Sequence, residues 1–179
     1  MGGFSSKKKE SVKIVCCGLD NSGKSTIINY LKPKKERESN VVPTIGYSQE
    51  SFDFDKLNFT VFDMSGQGKY RNLWESFYGE VDGVIFVIDS ADRVRIAVAE
   101  DEMKILLKEI KDRPIPILFF ANKQDLANSL SASEVSESLK LHEIQNKSWT
   151  IIASNALVGD GISDGVKWLS EEIRKKLSK

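Results

Sequence analysis

Residues 12–31 read V-K-I-V-C-C-G-L-D-N-S-G-K-S-T-I-I-N-Y-L, and the reading of this stretch decides the fold. An apolar run, Val12 to Cys17, precedes G-L-D-N-S-G-K-S at 18–25, and a helical run, Thr26 to Leu31, follows it. A strand, a glycine-rich loop and a helix in that order gather backbone N–H groups and a helix N-terminus around one point, where an anion is favoured. Gly18 and Gly23 let the backbone come close to phosphate oxygens, with Asp20, Asn21, Ser22 and Thr26 completing the turn around them. Lys24 can reach β- and γ-phosphates, and the Ser25 hydroxyl can ligate Mg²⁺.

The apolar run Ile115 to Ala121 ends in Asn122-Lys123-Gln124-Asp125, which places these residues at the C-terminal end of a buried strand, where α/β sheets bind ligands. A carboxylate at Asp125 can accept hydrogen bonds from the N1–H and 2-amino group of guanine. Adenine offers neither donor, and a mismatch of buried polar groups discriminates by orders of magnitude. Asn122 would hold the loop and the Lys123 stem would cover the base. Between the two motifs, Asp63-Met64-Ser65-Gly66-Gln67 follows the run Leu57 to Phe62. Asp63 is placed to hold the Mg²⁺ shell, the Gly66 N–H to meet a γ-phosphate, and Gln67 to orient an attacking water. Upstream, Thr44 of V-P-T-I-G at 42–46 offers a second hydroxyl to the metal. Taken together, Gln67, Lys24 and Thr44 are the catalytic set, and the pattern specifies phosphoryl transfer from GTP to water.

These strings resemble the Arf-like small GTPases. The likeness rests on G-L-D-x-x-G-K-[ST] at 18–25, P-T-I-G at 43–46, the Gly66-Gln67 pair, N-K-Q-D at 122–125 and Ala153-Ser154, and it covers essentially the whole chain from about Val12. It implies GTP, GDP and Mg²⁺ as ligands, a contact of the Ala153 N–H with guanine O6, a monomer, and separate activating and exchange factors. It also implies that the strand pair between Tyr47 and Phe62 shifts register with the nucleotide. Tyr47, Phe62 and Phe77 fall where Arf proteins expose aromatic side chains to effectors. F-D-M-S-G-Q-G-K-Y-R-N-L-W-E at 62–75, I-P-I-L-F-F-A-N-K at 115–123 and A-S-N-A-L-V-G-D-G at 153–161 are similar to the branch of the family tied to Bardet–Biedl syndrome. That branch implies recruitment of the BBSome coat to ciliary membranes. Most Arf proteins carry glycine where this chain has Ser65.

The rest of the chain agrees with one α/β domain over 12–179: a mostly parallel six-stranded sheet with one antiparallel edge strand and helices on both faces. Expected strands are 12–17, 47–54, 57–63, 83–89, 115–121 and 149–153, and expected helices 24–31, 93–110, 133–139 and 162–177. Strands alternating with helices argue for parallel pairing, whereas the tight Asp55-Lys56 turn makes 47–63 a hairpin. Ile162, Val166, Leu169, Ile173 and Leu177 form one apolar stripe. Lys32 to Glu38 reads as a solvated loop, and Glu100 to Glu102 as the wet face of a helix. Lys plus Arg equals Asp plus Glu, 26 each, which gives no sign of nucleic-acid binding. Cys16 and Cys17 are adjacent in a strand and are read as small core residues on opposite faces. His142, the one histidine, is read as a surface residue.

No apolar run approaches a membrane span, and no secretory signal is read. Residues 1–11 are expected to be a tail that makes peripheral membrane contact. M-G-G-F-S-S at 1–6 fits the M-G-x-x-x-[ST] acylation pattern at Gly2, and Lys7 to Lys9 follows it. One acyl chain plus a basic cluster is the physical logic of such an anchor. The expected location is cytoplasmic and peripheral membrane, at the cilium or its base. Three other outputs fit the same motifs: a GTP-gated binding module that hardly turns over, a nucleotide kinase or ATPase, and an Arf-like protein that releases lipidated cargo. Asp125 argues against the kinase.

Overall fold

Spatial order departs from chain order at the phosphate loop. The computed structural model describes residues 8–179, so the expected acylation site at Gly2 lies outside the described residues. Six strands, β1 (Glu10–Cys17), β2 (Tyr47–Phe54), β3 (Leu57–Met64), β4 (Gly83–Asp89), β5 (Ile117–Asn122) and β6 (Trp149–Ala153), form one sheet in the order β2-β3-β1-β4-β5-β6. β2 runs antiparallel to β3, with Tyr47 opposite Met64 and Phe54 opposite Leu57, and every other pairing is parallel. The chain leaves β1 for β3 on one side and reaches β4 on the other, so β1 marks the topological switch point where a crevice opens beyond the carboxyl ends of the strands.

The uninterrupted apolar run of β4 buries both of its faces. Val84, Phe86 and Ile88 enter one core, and Ile85 and Val87 enter the other. A pleated strand sends successive side chains to opposite sides, and a parallel strand covered by helices on both sides needs both to be apolar. Against the first core lie α2 (Glu75–Tyr78), α3 (Ile96–Glu109) and α4 (Ala132–Ser138), contributing Tyr78, Met103, Leu106 and Val135. Against the second lie α1 (Lys24–Leu31) and α5 (Ile162–Leu177), contributing Ile27, Ile28, Val166, Leu169 and Ile173. Cys17 belongs to the first core and Cys16 to the second, as strand alternation requires. Burial raises both thiols well above their ordinary pKa, which leaves them unreactive packing residues. His142 is exposed, and Trp168 is half-buried against the second core.

Several boundaries move for local reasons. β5 begins at Ile117 because Pro116 has no N–H to give a ladder, although its carbonyl accepts from Val84. A turn of 3₁₀ helix, Arg93–Arg95, precedes α3, and the Asp92 side chain caps it by accepting from the Arg95 N–H. α4 starts on a capping box between Ser131 and Glu134. Leu177 ends the expected stripe in solvent, 48% exposed. Lys32, read as solvated, is buried, and its ammonium lies 3.4 Å from Glu50 and 3.6 Å from Glu38. Residues 68–78, where no element is expected, form a 3₁₀ turn, Gly68–Leu73, and the short α2. Among the described residues no helix is long and apolar enough to cross a membrane.

Gly165, inside α5, is where the second core is tightest. A Cβ there would stand 2.7 Å from the Phe120 ring and 3.3 Å from Leu118 Cδ1. Alanine gains about 1 kcal/mol of helix propensity over glycine, but overpacking a filled core costs about 1–3 kcal/mol. The ring cannot step aside, because Phe120 is fully buried. Gly165→Ala should therefore lower stability by about 1 kcal/mol in urea unfolding despite its better helix propensity.

Candidate functional site

The four sequence motifs meet at the carboxyl ends of β1, β3, β5 and β6. A cleft of about 440 Å³ is lined by Asp20, Asn21, Gly23 to Thr26, Val41 to Thr44 and Met64 to Gln67. On its floor Gly23, in the left-handed region at φ 101°, starts α1 without any side-chain cap, which leaves the first N–H groups of the helix facing the cleft. Gly18 passes so close to β4 that a Cβ would overlap the Val87 carbonyl. Gly66 is equally constrained, since a Cβ would collide with the Asp20 amide nitrogen and the Leu19 carbonyl carbon. The segment that follows β3 thus presses directly against the loop over 18–25.

Lys24 is 6% exposed. Its ammonium donates to the Leu19 carbonyl at 2.8 Å and to Ser22 Oγ at 3.4 Å, and burial lowers its pKa. A buried cation with only neutral partners is suited to an anionic ligand. Beside it, three hard oxygens converge. Ser25 Oγ lies 2.5 Å from Asp63 Oδ2 and 3.0 Å from Thr44 Oγ1, and Thr44 Oγ1 lies 3.3 Å from the same carboxylate oxygen. Burial raises the pKa of Asp63 in spite of the Ser25 hydrogen bond and nearby Lys24, and its other oxygen, Oδ1, is buried without a partner. Two hydroxyls and one unsatisfied carboxylate fit a hard divalent cation such as Mg²⁺, which takes few protein ligands and keeps room for phosphate oxygens.

The base end is built on Asn122, the last residue of β5 and almost completely buried. Its amide nitrogen donates to the Ser22 carbonyl at 2.9 Å, and its Oδ1 accepts from Ser154 Oγ at 3.0 Å and from the Ala156 N–H at 3.1 Å. Lys123 takes the left-handed φ of 65° and pairs with Asp89 at 2.9 Å. Asp125 and the Ala153 backbone are exposed beside them, while Ser154 is buried and its carbonyl accepts from the Gln124 N–H. Gln67 lines the opposite wall of the cleft. Tyr47, Phe62 and Phe77 do come together outside it, with Phe77 4.9 Å from each of the other two ring centroids. Tyr47 is half exposed, and the other two are partly buried.

Several residues that hold these groups carry no local sequence signal. Ser65 is buried, its carbonyl accepts from the Trp74 indole N–H at 2.9 Å, and its hydroxyl accepts from the Gln67 N–H at 3.4 Å. Two arginines reach the phosphate loop. Arg95 donates to Asp20 Oδ1 at 2.6 Å, and Arg71 lies 3.8 Å from the same oxygen. Glu102, read as part of a wet face, is half-buried and receives Arg71. Glu100 is also half-buried and pairs with Lys104 and Lys140.

The sequence pattern of the ADP-ribosylation factor family (Arf) matches residues 3–173. ADP-ribosylation factor-like protein 6 of Danio rerio is 53% identical over 176 residues, covering 97% of this chain and 95% of that protein. The protein of the same name in Caenorhabditis elegans is 42% identical over 183 residues, covering 98% and 96%. Among solved structures, the Arl6 BBS3 small GTPase of Trypanosoma brucei with the bound nucleotide analogue GppNp superposes with a TM-score of 0.86 at 42% identity, covering 92% of this chain and 98% of that one.

Removing the Asn122 carboxamide would strand the Ser22 carbonyl, the Ser154 hydroxyl and the Ala156 N–H in a buried site. At about 1 kcal/mol for each bond lost, Asn122→Ala should destabilise the domain by about 3 kcal/mol. Denaturant unfolding measures that loss.

Proposed function

The chain belongs to the ADP-ribosylation factor family, and we propose that it is a GTP-hydrolysing switch whose GTP form recruits the BBSome coat to membranes for ciliary membrane-protein traffic. An Arf-like small GTPase that works with GTP, GDP and Mg²⁺ follows from the family. The coat and the cilium are our reading. Supporting them are the names of the relatives, factor-like protein 6 and Arl6 BBS3, and the strings at 62–75, 115–123 and 153–161.

The residue roles follow from the chemistry of the cleft. The backbone of Gly18, Asp20 to Gly23 and Thr26 wraps the phosphates, and Lys24 offsets charge that develops on the β–γ bridging oxygen. Ser25, Thr44 and Asp63 would hold Mg²⁺, which would supply positive charge to neutralise the phosphate oxygens. Gly66 gives its N–H to the γ-phosphate. Gln67 orients a water whose oxygen bonds to the γ-phosphorus as the bond to the β–γ bridging oxygen breaks, leaving GDP and inorganic phosphate. Asp125 selects guanine, Lys123 covers the ring, and Ala153 and Ser154 close the site at O6. The single observation that carries the switch is the convergence of Thr44 and Asp63 on Ser25. Thr44 lies just ahead of β2 and Asp63 in β3, and Gly66 follows, so γ-phosphate contacts that order Thr44 and Gly66 order both flanking segments, and hydrolysis releases them.

Arg71 and Arg95 are both engaged with Asp20, so intrinsic turnover is slow and an activating protein supplies an arginine in trans. A separate factor drives exchange. The Tyr47–Phe62–Phe77 cluster is the effector contact. Membrane contact falls to the tail ahead of β1; its expected end at residue 11 moves back because Glu10 and Ser11 already pair with β3, and Lys9 pairs with Asp53 at 3.0 Å.

Gln67→Leu should slow single-turnover hydrolysis by about 10- to 100-fold while GTP-analogue binding is kept, since misplacing one reacting group loses rates of that order. Unchanged turnover would remove Gln67 from the mechanism. For the partner, affinity capture from ciliated-cell extract should enrich BBSome subunits on protein loaded with a non-hydrolysable GTP analogue and not on the GDP form. Tyr47→Glu, chosen because Tyr47 is the most exposed ring of the cluster, should weaken that capture by about 30-fold, as loss of a tyrosine hot spot does. Retention of lipid-carrier proteins instead would keep the GTPase and overturn the coat.

A further inference from the structure

Gly66 is glycine because only a residue without a Cβ fits against the phosphate loop. The same lack of a side chain leaves its backbone with the largest conformational freedom of any residue. The neighbour that must orient water, Gln67, therefore hangs from an intrinsically permissive joint. Both peptide planes that meet at this joint are held from outside. The Ser65 carbonyl accepts from the Trp74 indole. In the next plane, the Gln67 N–H donates to Ser65 Oγ, and the Gly66 carbonyl accepts from Arg71 Nε at 3.0 Å.

Of these restraints, Arg71 also makes polar contacts to two other parts of the fold. Its Nη1 lies 3.4 Å from Glu102 Oε1 on α3, and its Nη2 lies 3.8 Å from Asp20 Oδ1 in the phosphate loop. The side chain is 17% exposed, and so is largely shielded from competing water. The 3₁₀ turn over Gly68–Leu73 folds the chain back, with the Tyr70 N–H bonded to the Gln67 carbonyl, so that a residue four places on can return to the carbonyl before Gln67. A planar fork with separately directed donors can serve three partners on three elements, and a lysine ammonium on a flexible stem cannot reproduce it.

From this arrangement we infer that Arg71 is a positioning residue for hydrolysis: by holding the Gly66–Gln67 peptide against Glu102 and Asp20, it fixes the direction from which Gln67 presents water to the γ-phosphate. The inference rests on the water-orienting role proposed for Gln67. Arg71 does not line the cleft, and its three contacts are with Gly66, Glu102 and Asp20, which makes its role one of positioning.

The test is single-turnover GTP hydrolysis by the full chain carrying Arg71→Ala, Arg71→Lys, Gln67→Leu and the Arg71→Ala/Gln67→Leu pair, with GDP affinity measured on each. Arg71→Ala should slow hydrolysis about tenfold, as small misplacements of a catalytic group do, with GDP affinity unchanged. Arg71→Lys should not restore the rate, because it keeps the charge and loses the Nε–H. In the Gln67→Leu background the Arg71 substitution should add nothing, since coupled residues are non-additive. Full rescue by lysine, an equal further loss in the double variant, an unaltered rate in Arg71→Ala, or a parallel fall in GDP affinity would each overturn the inference. An unaltered rate in Gln67→Leu alone would instead remove the reading on which it stands. Should the alanine variant fold poorly, Glu102→Gln keeps the shape of α3 and weakens the tether from the far side. It should slow hydrolysis in the same direction by less, and an unaltered rate there would count against the tether.

Discussion

Asn122 makes one site out of separate loops. Its carboxamide bonds at once to the phosphate loop through Ser22 and to the last loop through Ser154 and Ala156. The side chain can do this because β5 is an interior strand, buried along its length, whose carboxyl end reaches past that of β1 and lies beside that of β6. A buried amide with all its partners present is stabilising, and the same amide half-satisfied is a liability. Four of the proposed contact residues take their place from this cross-brace. Lys24 and Ser25 follow Ser22 directly, and Lys123 and Asp125 follow Asn122.

The metal end shows the opposite strategy. Asp63 is buried with one oxygen unpartnered and its pKa raised by desolvation, and Lys24 is buried with its pKa lowered. Each group is held in a state that a phosphate and a divalent cation would relieve. Strain of this sort is tolerated where ligand binding repays it. The core on either side of the sheet, dense and apolar, supplies the rigidity that keeps these groups apart from water and in register.

The motif residues were legible because their spacing is local: a loop between a strand and a helix can be read from eight letters. The mostly parallel sheet, its antiparallel edge and the two buried faces of β4 were legible because period and turn chemistry dictate them, whereas the strand order was not. Other features depend on contacts that no local pattern encodes. Lys32 looked solvated among charged neighbours, but Glu50, eighteen positions away on β2, draws it inward. Arg71 and Glu102 are thirty-one residues apart, and their pairing exists only once α3 lies beside the 3₁₀ turn. The turn itself is too short to show a helical period. Ser65 registered only as a departure from glycine, and its hydroxyl's bond to the Gln67 N–H needs coordinates to be seen.

β1 pairs with β3 and β4, and β5 with β4 and β6, so none of the parallel pairings joins strands linked by a short turn. The candidate site as a whole draws on residues from 18 to 154, so no short fragment of the chain contains it. The bound nucleotide consequently acts as a staple across the whole domain, and a ligand present at a thousand times its dissociation constant adds about 4 kcal/mol to global stability. The interval between losing one nucleotide and capturing the next is then also the interval in which the fold is weakest. A factor that empties the cleft has to shelter an incompletely held protein until the cell's GTP refills it, so the biology of exchange is also a matter of proteostasis.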